Sequence, residues 1–188
     1  GIKQGIENTN YLLRSKNKKF ILTIFEKRVF KKEIPFFMKL MDELNQSKIN
    51  CPKPLKTQNG NYLIKLKKKT ACIVSIVEGK DKKKLTSKNC YDIGRVVAKM
   101  HLATKNINLF RKNSMGIKNL NPLLKRIKFK SKKFINLDNF LKNNFKNIKK
   151  NWPKKLPNGI IHGDLFIDNI FFKNNKFYGY IDFYFSSN

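Results

Sequence analysis

The stretch Ile160-Ile161-His162-Gly163-Asp164-Leu165-Phe166-Ile167-Asp168-Asn169-Ile170-Phe171-Phe172, followed shortly by Tyr180-Ile181-Asp182-Phe183, decides how this chain is read. It holds an apolar strand, a polar loop, a second apolar strand, a turn over 173–176 and a third strand that ends on an acid. Three of the chain's 12 acidic residues, Asp164, Asp168 and Asp182, fall inside it. Carboxylates gathered at strand ends in a lysine-rich chain suit a site that handles a metal and a proton. Phosphoryl transfer from ATP asks for a carboxylate to take the acceptor hydroxyl's proton, oxygen ligands for Mg²⁺, and donors over the phosphates. Asp164 supplies the base, Asn169 a neutral oxygen ligand across the same loop, and Asp182 an anionic ligand behind the next hairpin. Mg²⁺ takes only one or two protein carboxylates and completes its shell with water and nucleotide oxygens. Gly163 lets the loop turn sharply, and the flanking apolar runs bury the scaffold. Read singly, Asp and Asn at strand ends are common turn formers. Their combination, set behind a β-rich lobe and a linker, predicts a small-molecule kinase instead.

Working back from that stretch, residues 1–30 read as β-structure. Tyr11-Leu12-Leu13 and Phe20-Ile21-Leu22-Thr23-Ile24-Phe25 are apolar runs divided by a hairpin turn over 15–19. Ahead of them, Gly5-Ile6-Glu7-Asn8-Thr9-Asn10 offers backbone N–H groups and short polar side chains of the kind that surround phosphate oxygens. Taken alone, with one glycine, it reads as an ordinary turn. Residues 34–47 predict a helix, with Pro35 in the first turn and Phe36, Phe37, Leu40, Met41 and Leu44 at helical spacing. Cys51-Pro52-Lys53-Pro54 then starts an extended segment. Strands follow over 61–66 and 71–77, and a solvated linker over 79–84. A unit of five strands and one helix is thus expected to be complete by residue 79.

Beyond the linker the pattern turns helical. Residues 87–105 predict a helix capped by Thr86 or Ser87, with Tyr91, Ile93, Gly94, Val97, Ala98, His101 and Leu102 on its apolar face. His101 reads as a packing or capping residue. A short helix over 121–130 and an amphipathic one over 134–150 precede Trp152-Pro153 and Leu156-Pro157-Asn158-Gly159, which break the chain before the opening stretch. The expected organisation is a nucleotide-binding β-rich lobe over 1–79 and a partial helical lobe over 80–188 that carries the catalytic loop.

A formal charge of +30 on 188 residues raises nucleic acid or an anionic membrane as a partner. The cations, however, are overwhelmingly lysine; Arg14, Arg28, Arg95, Arg111 and Arg126 are the only arginines. Arginine is the residue that reads phosphate bidentately. The lysines are scattered among abundant Asn, Ile and Phe, all with A/T-rich codons, so base-composition drift accounts for the charge. No specific nucleic acid partner is expected. Cys51, Cys72 and Cys90 are widely spaced, with neither a C-x-x-C pair nor an even count, which fits a reducing compartment. No apolar run approaches 18 residues and no signal-peptide pattern opens the chain, so a cytoplasmic enzyme without a membrane partner is expected.

These residues carry a resemblance. His162-Gly163-Asp164 through Asn169, then Ile181-Asp182, resembles the catalytic core of aminoglycoside phosphotransferase and choline kinase-like enzymes, relatives of protein kinases. Glu7 through Leu13, Phe20 through Arg28, Pro35-Phe36-Phe37, Cys51 through Pro54, Met100-His101-Leu102-Ala103 and Asp182-Phe183-Tyr184-Phe185 are similar to the type II homoserine kinases within that group. The resemblance implies an α+β, protein kinase-like two-lobed fold, truncated here at both ends, with much of the acceptor pocket supplied by a further helical portion. It implies ATP-dependent phosphorylation of L-homoserine to O-phospho-L-homoserine, on the route to threonine. Carried over by position, Asp164 is the catalytic base, His162 braces its loop, and Asn169 and Asp182 hold Mg²⁺. Gly5, Asn8, Thr9 and Asn10 cover the phosphates, and backbone groups at Ser75 and Val77 receive adenine.

Three departures stand out. Thr23 occupies the place of the phosphate-pairing strand lysine, and Lys27, four residues on and on the same strand face, is the candidate substitute. Glu43 is the candidate partner for that lysine. Ile167 replaces a proline in the loop. Within the enzyme class the alternative acceptors are choline, an aminoglycoside or methylthioribose; outside it, the alternative is a non-catalytic lysine-rich nucleic-acid-binding protein. Acids clustered where the fold is most organised would repel phosphate and weigh against the latter.

Overall fold

The structure, a computed structural model, describes residues 8–26, 29–126 and 135–188. The chain forms two compact units, one built from the chain up to Arg111 together with Gly159–Asn188, the other from Lys112–Asn158.

The first unit opens with an antiparallel sheet of strands β1 (Asn8–Ser15), β2 (Lys18–Phe25), β3 (Leu63–Leu66) and β4 (Lys69–Ser75), in the order β1-β2-β4-β3. β2 is central, and its alternation turns Thr23 and Phe25 to the core, both nearly fully buried. Lys67 and Lys68 turn β3 into β4 with φ of 45° and 66°. A left-handed pair is the geometry that matches strand twist, even without the usual Asn-Gly. Among the described residues four strands, not five, form this sheet. The extended segment at Pro54 meets β4 only through an isolated bridge to Val74. Its neighbours carry the hydrogen bonds, Ser75 N–H to the Lys53 carbonyl and Leu55 N–H to the Ile73 carbonyl, each at 2.9 Å. Proline has no N–H to give and so interrupts a longer ladder.

Helix α1 (Ile34–Gln46) buries Ile34, Phe36, Phe37, Met38, Leu40, Met41 and Leu44. These pack with Phe25, Cys72 and Val74 from the sheet. Each such side chain contributes roughly 1.5–3 kcal/mol relative to exposure, which makes this face the main source of core stability. The helix stops in a Schellman arrangement. Lys48 takes φ 58°, its N–H bonds the Asn45 carbonyl at 3.0 Å, and buried Ile49 bonds the Leu44 carbonyl at 2.9 Å.

Helix α2 (Ser87–Thr104) starts at Thr86, whose hydroxyl accepts from Asn89 N–H at 3.2 Å while the Asn89 side chain accepts from Thr86 N–H at 3.3 Å. Its buried face differs from the expected one. Met100 and Thr104 are buried, Val96 and Ala103 pack on the core, and Tyr91, His101 and Leu102 are exposed. Apolar residues lie around most of this helix, so periodicity allowed more than one stripe, and contact with α1 selects the Met100 side. Strands β5 (Ile170–Lys173) and β6 (Lys176–Tyr180) form a separate hairpin, closed by Asn174 and Asn175 at φ of 51° and 59°. No helix of the described residues is long and apolar enough to cross a membrane.

The second unit holds α3 (Ile117–Arg126) and α4 (Ile135–Asn151), which pack on each other. α3 begins before the expected 121, and Asn119 N–H already bonds the Gly116 carbonyl at 2.8 Å.

Candidate active site

Ile160, buried, leads into the loop, and Ile161 pairs with Ser187 through hydrogen bonds of 2.9 and 3.2 Å. Gly163 follows at φ 82°, and a Cβ there would lie 2.5 Å from the Phe185 carbonyl oxygen. Only glycine permits both the left-handed turn and that approach. Just before it, His162 is almost fully buried against Phe183 and Tyr180, with ring centroids at 4.6 and 5.6 Å. Asp164 N–H donates to His162 Nδ1 at 3.3 Å, and Nε2 lies 2.9 Å from the Ile181 carbonyl. Nδ1 is therefore the acceptor and Nε2 carries the proton. Burial pushes the imidazole pKa down to about 4, against the smaller opposing effect of the Ile181 carbonyl. His162 is neutral, with both ring nitrogens engaged by backbone.

The Asn169 amide donates to the Asp164 carbonyl at 2.8 Å and to Asp164 Oδ2 at 3.3 Å. Asn169 sits in a single 3₁₀ turn, Ile167–Asn169, and its carbonyl accepts from Ile181 N–H at 2.9 Å. The loop that carries Asp164 and the end of β6 are thereby tied together. Next comes Asp182 at φ 64° and ψ 67°, which caps the 3₁₀ turn Phe183–Phe185. A left-handed aspartate costs on the order of 1 kcal/mol and persists where the surroundings fix it. Here Phe183, 1% exposed, anchors the turn on one side and the bonded Ile181 on the other.

Asn8, Thr9 and Asn10 lie on β1, while Gly5 and Lys27 lie outside the described residues. Thr9 donates its hydroxyl to Glu26 at 2.9 Å, and Glu26 also receives Lys69 at 2.7 and 2.9 Å. Asn10 Oδ1 accepts from the Thr23 hydroxyl at 2.8 Å. Thr23 pairs across the sheet with Cys72, and the partly buried Tyr184 places its hydroxyl close to both. Burial holds the Tyr184 hydroxyl well above its usual pKa and pushes the Cys72 thiol up to about 12. The place where the resemblance puts a cation is thus filled by neutral groups. Among the described residues Glu43 pairs with no cation, whereas its neighbour Asp42 accepts the Tyr62 hydroxyl at 2.6 Å.

At the far end of β4, Ser75 gives its N–H to the Lys53 carbonyl and accepts Lys53 N–H on its hydroxyl, both at 2.9 Å. Val77 is buried, and among the described residues its backbone meets no hydrogen-bond partner. Gly79, at φ 105°, would place a Cβ 2.5 Å from the Phe172 carbonyl oxygen. Lys80 exchanges two backbone bonds with Phe172 at 3.0 and 2.8 Å, which pins the linker on β5.

Two residues escaped the sequence reading. Asn50 donates to the Tyr178 carbonyl at 2.8 Å and accepts Tyr180 N–H at 3.3 Å, fastening the segment after α1 to β6. Nothing local signals a bond across 128 positions. Arg111 joins Glu33 to Ser186. Its scarcity as an arginine was the available signal.

The donor set fits a nucleotide-borne magnesium. Asn169 donates through Nδ2, so Oδ1 is the end that could meet a cation, and Asp182 could add a carboxylate. Among the described residues no group of three or more His, Cys, Asp or Glu is gathered to hold a metal unaided. Magnesium at such a place draws its other oxygens from phosphates and water. Asn8 Oδ1, at the start of β1, is buried with no hydrogen-bond partner among the described residues.

The model of the phosphotransferase enzyme family (APH) matches residues 1–188. The chain belongs to that family. It is 37% identical to a homoserine kinase of Rhizobium etli, over 100% of this chain and 59% of that protein. It is 36% identical to one from Parvibaculum lavamentivorans over the same shares, 100% and 59%. The chain thus spans less than two thirds of the length of the curated relatives it matches. Among solved structures, an amicoumacin kinase in complex with AMP-PNP and Ca²⁺ superposes with a TM-score of 0.76 at 15% identity, over 97% of this chain and 57% of that one. A microcompartment-associated aminopropanol kinase gives a TM-score of 0.76 at 16% identity, over 98% and 63%. The α+β, kinase-like fold expected from the sequence is the fold observed.

Proposed function

We propose that the protein transfers the γ-phosphoryl group of ATP to the hydroxyl of L-homoserine, giving O-phospho-L-homoserine and ADP in the cytoplasmic synthesis of threonine. The observation that carries this reading is the 37% identity to a homoserine kinase across the whole chain, taken together with a loop whose Asp164 and Asn169 are held in one hydrogen-bonded unit. Asp164 takes the proton of the acceptor hydroxyl as its oxygen bonds to phosphorus and the bond to the ADP oxygen breaks. Asn169 Oδ1 and the Asp182 carboxylate are the residues that would hold Mg²⁺. When bound, that ion supplies positive charge against the phosphate oxygens. His162, neutral and closed in by backbone, keeps the loop in shape and takes no proton.

Within the β-rich lobe, taken as residues 1–79, the segment with Gly5, Asn8, Thr9 and Asn10 covers the phosphates. The Thr9 hydroxyl is already committed to Glu26, so its contribution there is its backbone N–H. Lys27 is the candidate cation. The Val77 backbone receives adenine, since the Ser75 N–H is occupied by Lys53. ADP release measured with the full-length enzyme on homoserine, choline, an aminoglycoside and methylthioribose tests the assignment. Turnover with choline and none with homoserine would sink it.

A further inference from the structure

Arg111 lies in the connection after α2, and its side chain is only 12% exposed. The guanidinium bonds Glu33 Oε2 through Nε at 3.0 Å and through a terminal nitrogen at 2.9 Å. Its other terminal nitrogen donates to the Ser186 carbonyl at 3.1 Å. The cation also stands over the Phe37 ring, 5.1 Å from its centroid. Its backbone is fixed as firmly, for Arg111 N–H donates to Asn188 Oδ1 at 2.9 Å and Asn188 N–H to the Arg111 carbonyl at 2.8 Å.

Both partners sit where they matter. Glu33 is the residue from which α1 starts. Ser186 is fully buried and directly follows the turn that Asp182 begins. Its N–H closes that turn on the Phe183 carbonyl at 2.9 Å, and its hydroxyl donates to the His162 carbonyl at 3.1 Å. One guanidinium thus holds the start of α1, the segment behind Asp182 and, through Ser186, the loop that carries Asp164. Two hydrogen bonds in fixed directions and an ion-pair contact, together with stacking on an aromatic face, are what a planar fork provides and an ammonium does not. In a chain whose cations are overwhelmingly lysine, this is a position where lysine could not serve.

We propose that Arg111, anchored on Glu33, is a positioning residue for the phosphoryl-transfer site: it sets the Asp182 turn in register with the Asp164–Asn169 loop, so that the two metal-ligating oxygens are presented together. This rests on the phosphotransferase reading of the site. It predicts a loss specific to metal-dependent binding, because partners that orient ligands act on metal affinity about 10–100-fold when removed.

The test compares ATP affinity in Mg²⁺ and in EDTA for the wild type, Arg111→Met, Arg111→Lys and Glu33→Gln, with melting temperatures measured alongside. The variants are expected to lose about tenfold or more of the affinity in Mg²⁺, to stay within about twofold in EDTA, and to show no further loss when Arg111→Lys and Glu33→Gln are combined. Should Arg111→Met fail to fold, Arg111→Lys and Glu33→Gln, which keep the volume, decide the matter. Folded variants that keep the wild-type difference between Mg²⁺ and EDTA overturn the proposal, even if they melt earlier, since that pattern means stability alone. A wild type that binds ATP equally in Mg²⁺ and EDTA overturns the phosphotransferase reading and this proposal with it.

Discussion

Asn169 holds Asp164 from two directions, bonding its backbone carbonyl at 2.8 Å and its Oδ2 at 3.3 Å through the same Nδ2. The proposed ligand and base are therefore one mechanical piece, and the carboxylate is not free to swing. Asp164→Asn keeps the shape of that piece and removes its capacity to take a proton. Turnover is expected to fall by about 10²–10⁴-fold, with the dissociation constant for ATP unchanged within about threefold. Wild-type turnover in that variant would remove Asp164 as the base.

Gly163 gives a prediction in stability. Alanine there must adopt φ 82° and set a Cβ against the Phe185 carbonyl oxygen at 2.5 Å. Left-handed backbone alone costs roughly 1–2 kcal/mol, and the clash adds to it, so urea denaturation of Gly163→Ala should show a loss of at least about 2 kcal/mol. Gly94 is the control. It lies within α2, and a methyl group added there would meet nothing within 4 Å, so Gly94→Ala should gain up to about 1 kcal/mol.

The fold was legible wherever local chemistry and period agreed. The Phe36–Leu44 spacing, Pro35 and the break at Cys51 located α1 because one stripe of that helix is apolar and the rest is not. α2 misled for the converse reason: with Tyr91, Val97, Met100 and Leu102 all apolar, only its neighbour α1 could choose the buried side. In the site, the order and spacing of His162, Asp164, Asn169 and Asp182 were readable because they share one short stretch. The bonds of Asn50 to β6 and of Arg111 to Glu33 were not, since their partners lie 128 and 78 positions away and no periodicity records such a contact.

His162 makes stability depend on acidity. Its folded pKa, about 4, lies below the ordinary 6.5. Between these values the unfolded chain binds a proton that the folded chain refuses, so folding is favoured as pH rises through this window. The contribution is fully present above about pH 6.5 and is lost as pH falls toward 4, on the order of 3 kcal/mol in all. Denaturation midpoints measured from pH 7 to pH 4.5 should fall for the wild type and fall less for His162→Gln. Parallel declines would show that other groups carry the acid sensitivity.

Thr23 decides whether the strand position of the missing lysine has become structural. Its hydroxyl donates to Asn10 at 2.8 Å close to the Tyr184 hydroxyl, and the residue is 3% exposed. Thr23→Val has nearly the same shape but offers no donor, so it opens no cavity and strands the Asn10 oxygen. That should cost about 1–3 kcal/mol, and Thr23→Ser should recover the part that belongs to the hydrogen bond. Thr23→Lys restores the residue type that the resemblance leads one to expect, yet it would set a long ammonium side chain among Cys72, Tyr184 and Asn10 at a position that is 3% exposed. A cation and its long side chain forced into a filled, buried place are more costly than a lost neutral bond, so the lysine variant should be the least stable of the three. Guanidinium denaturation ranks them directly. A Thr23→Lys protein that is as stable as the wild type and binds ATP more tightly would mean that the position has kept its role in holding phosphate.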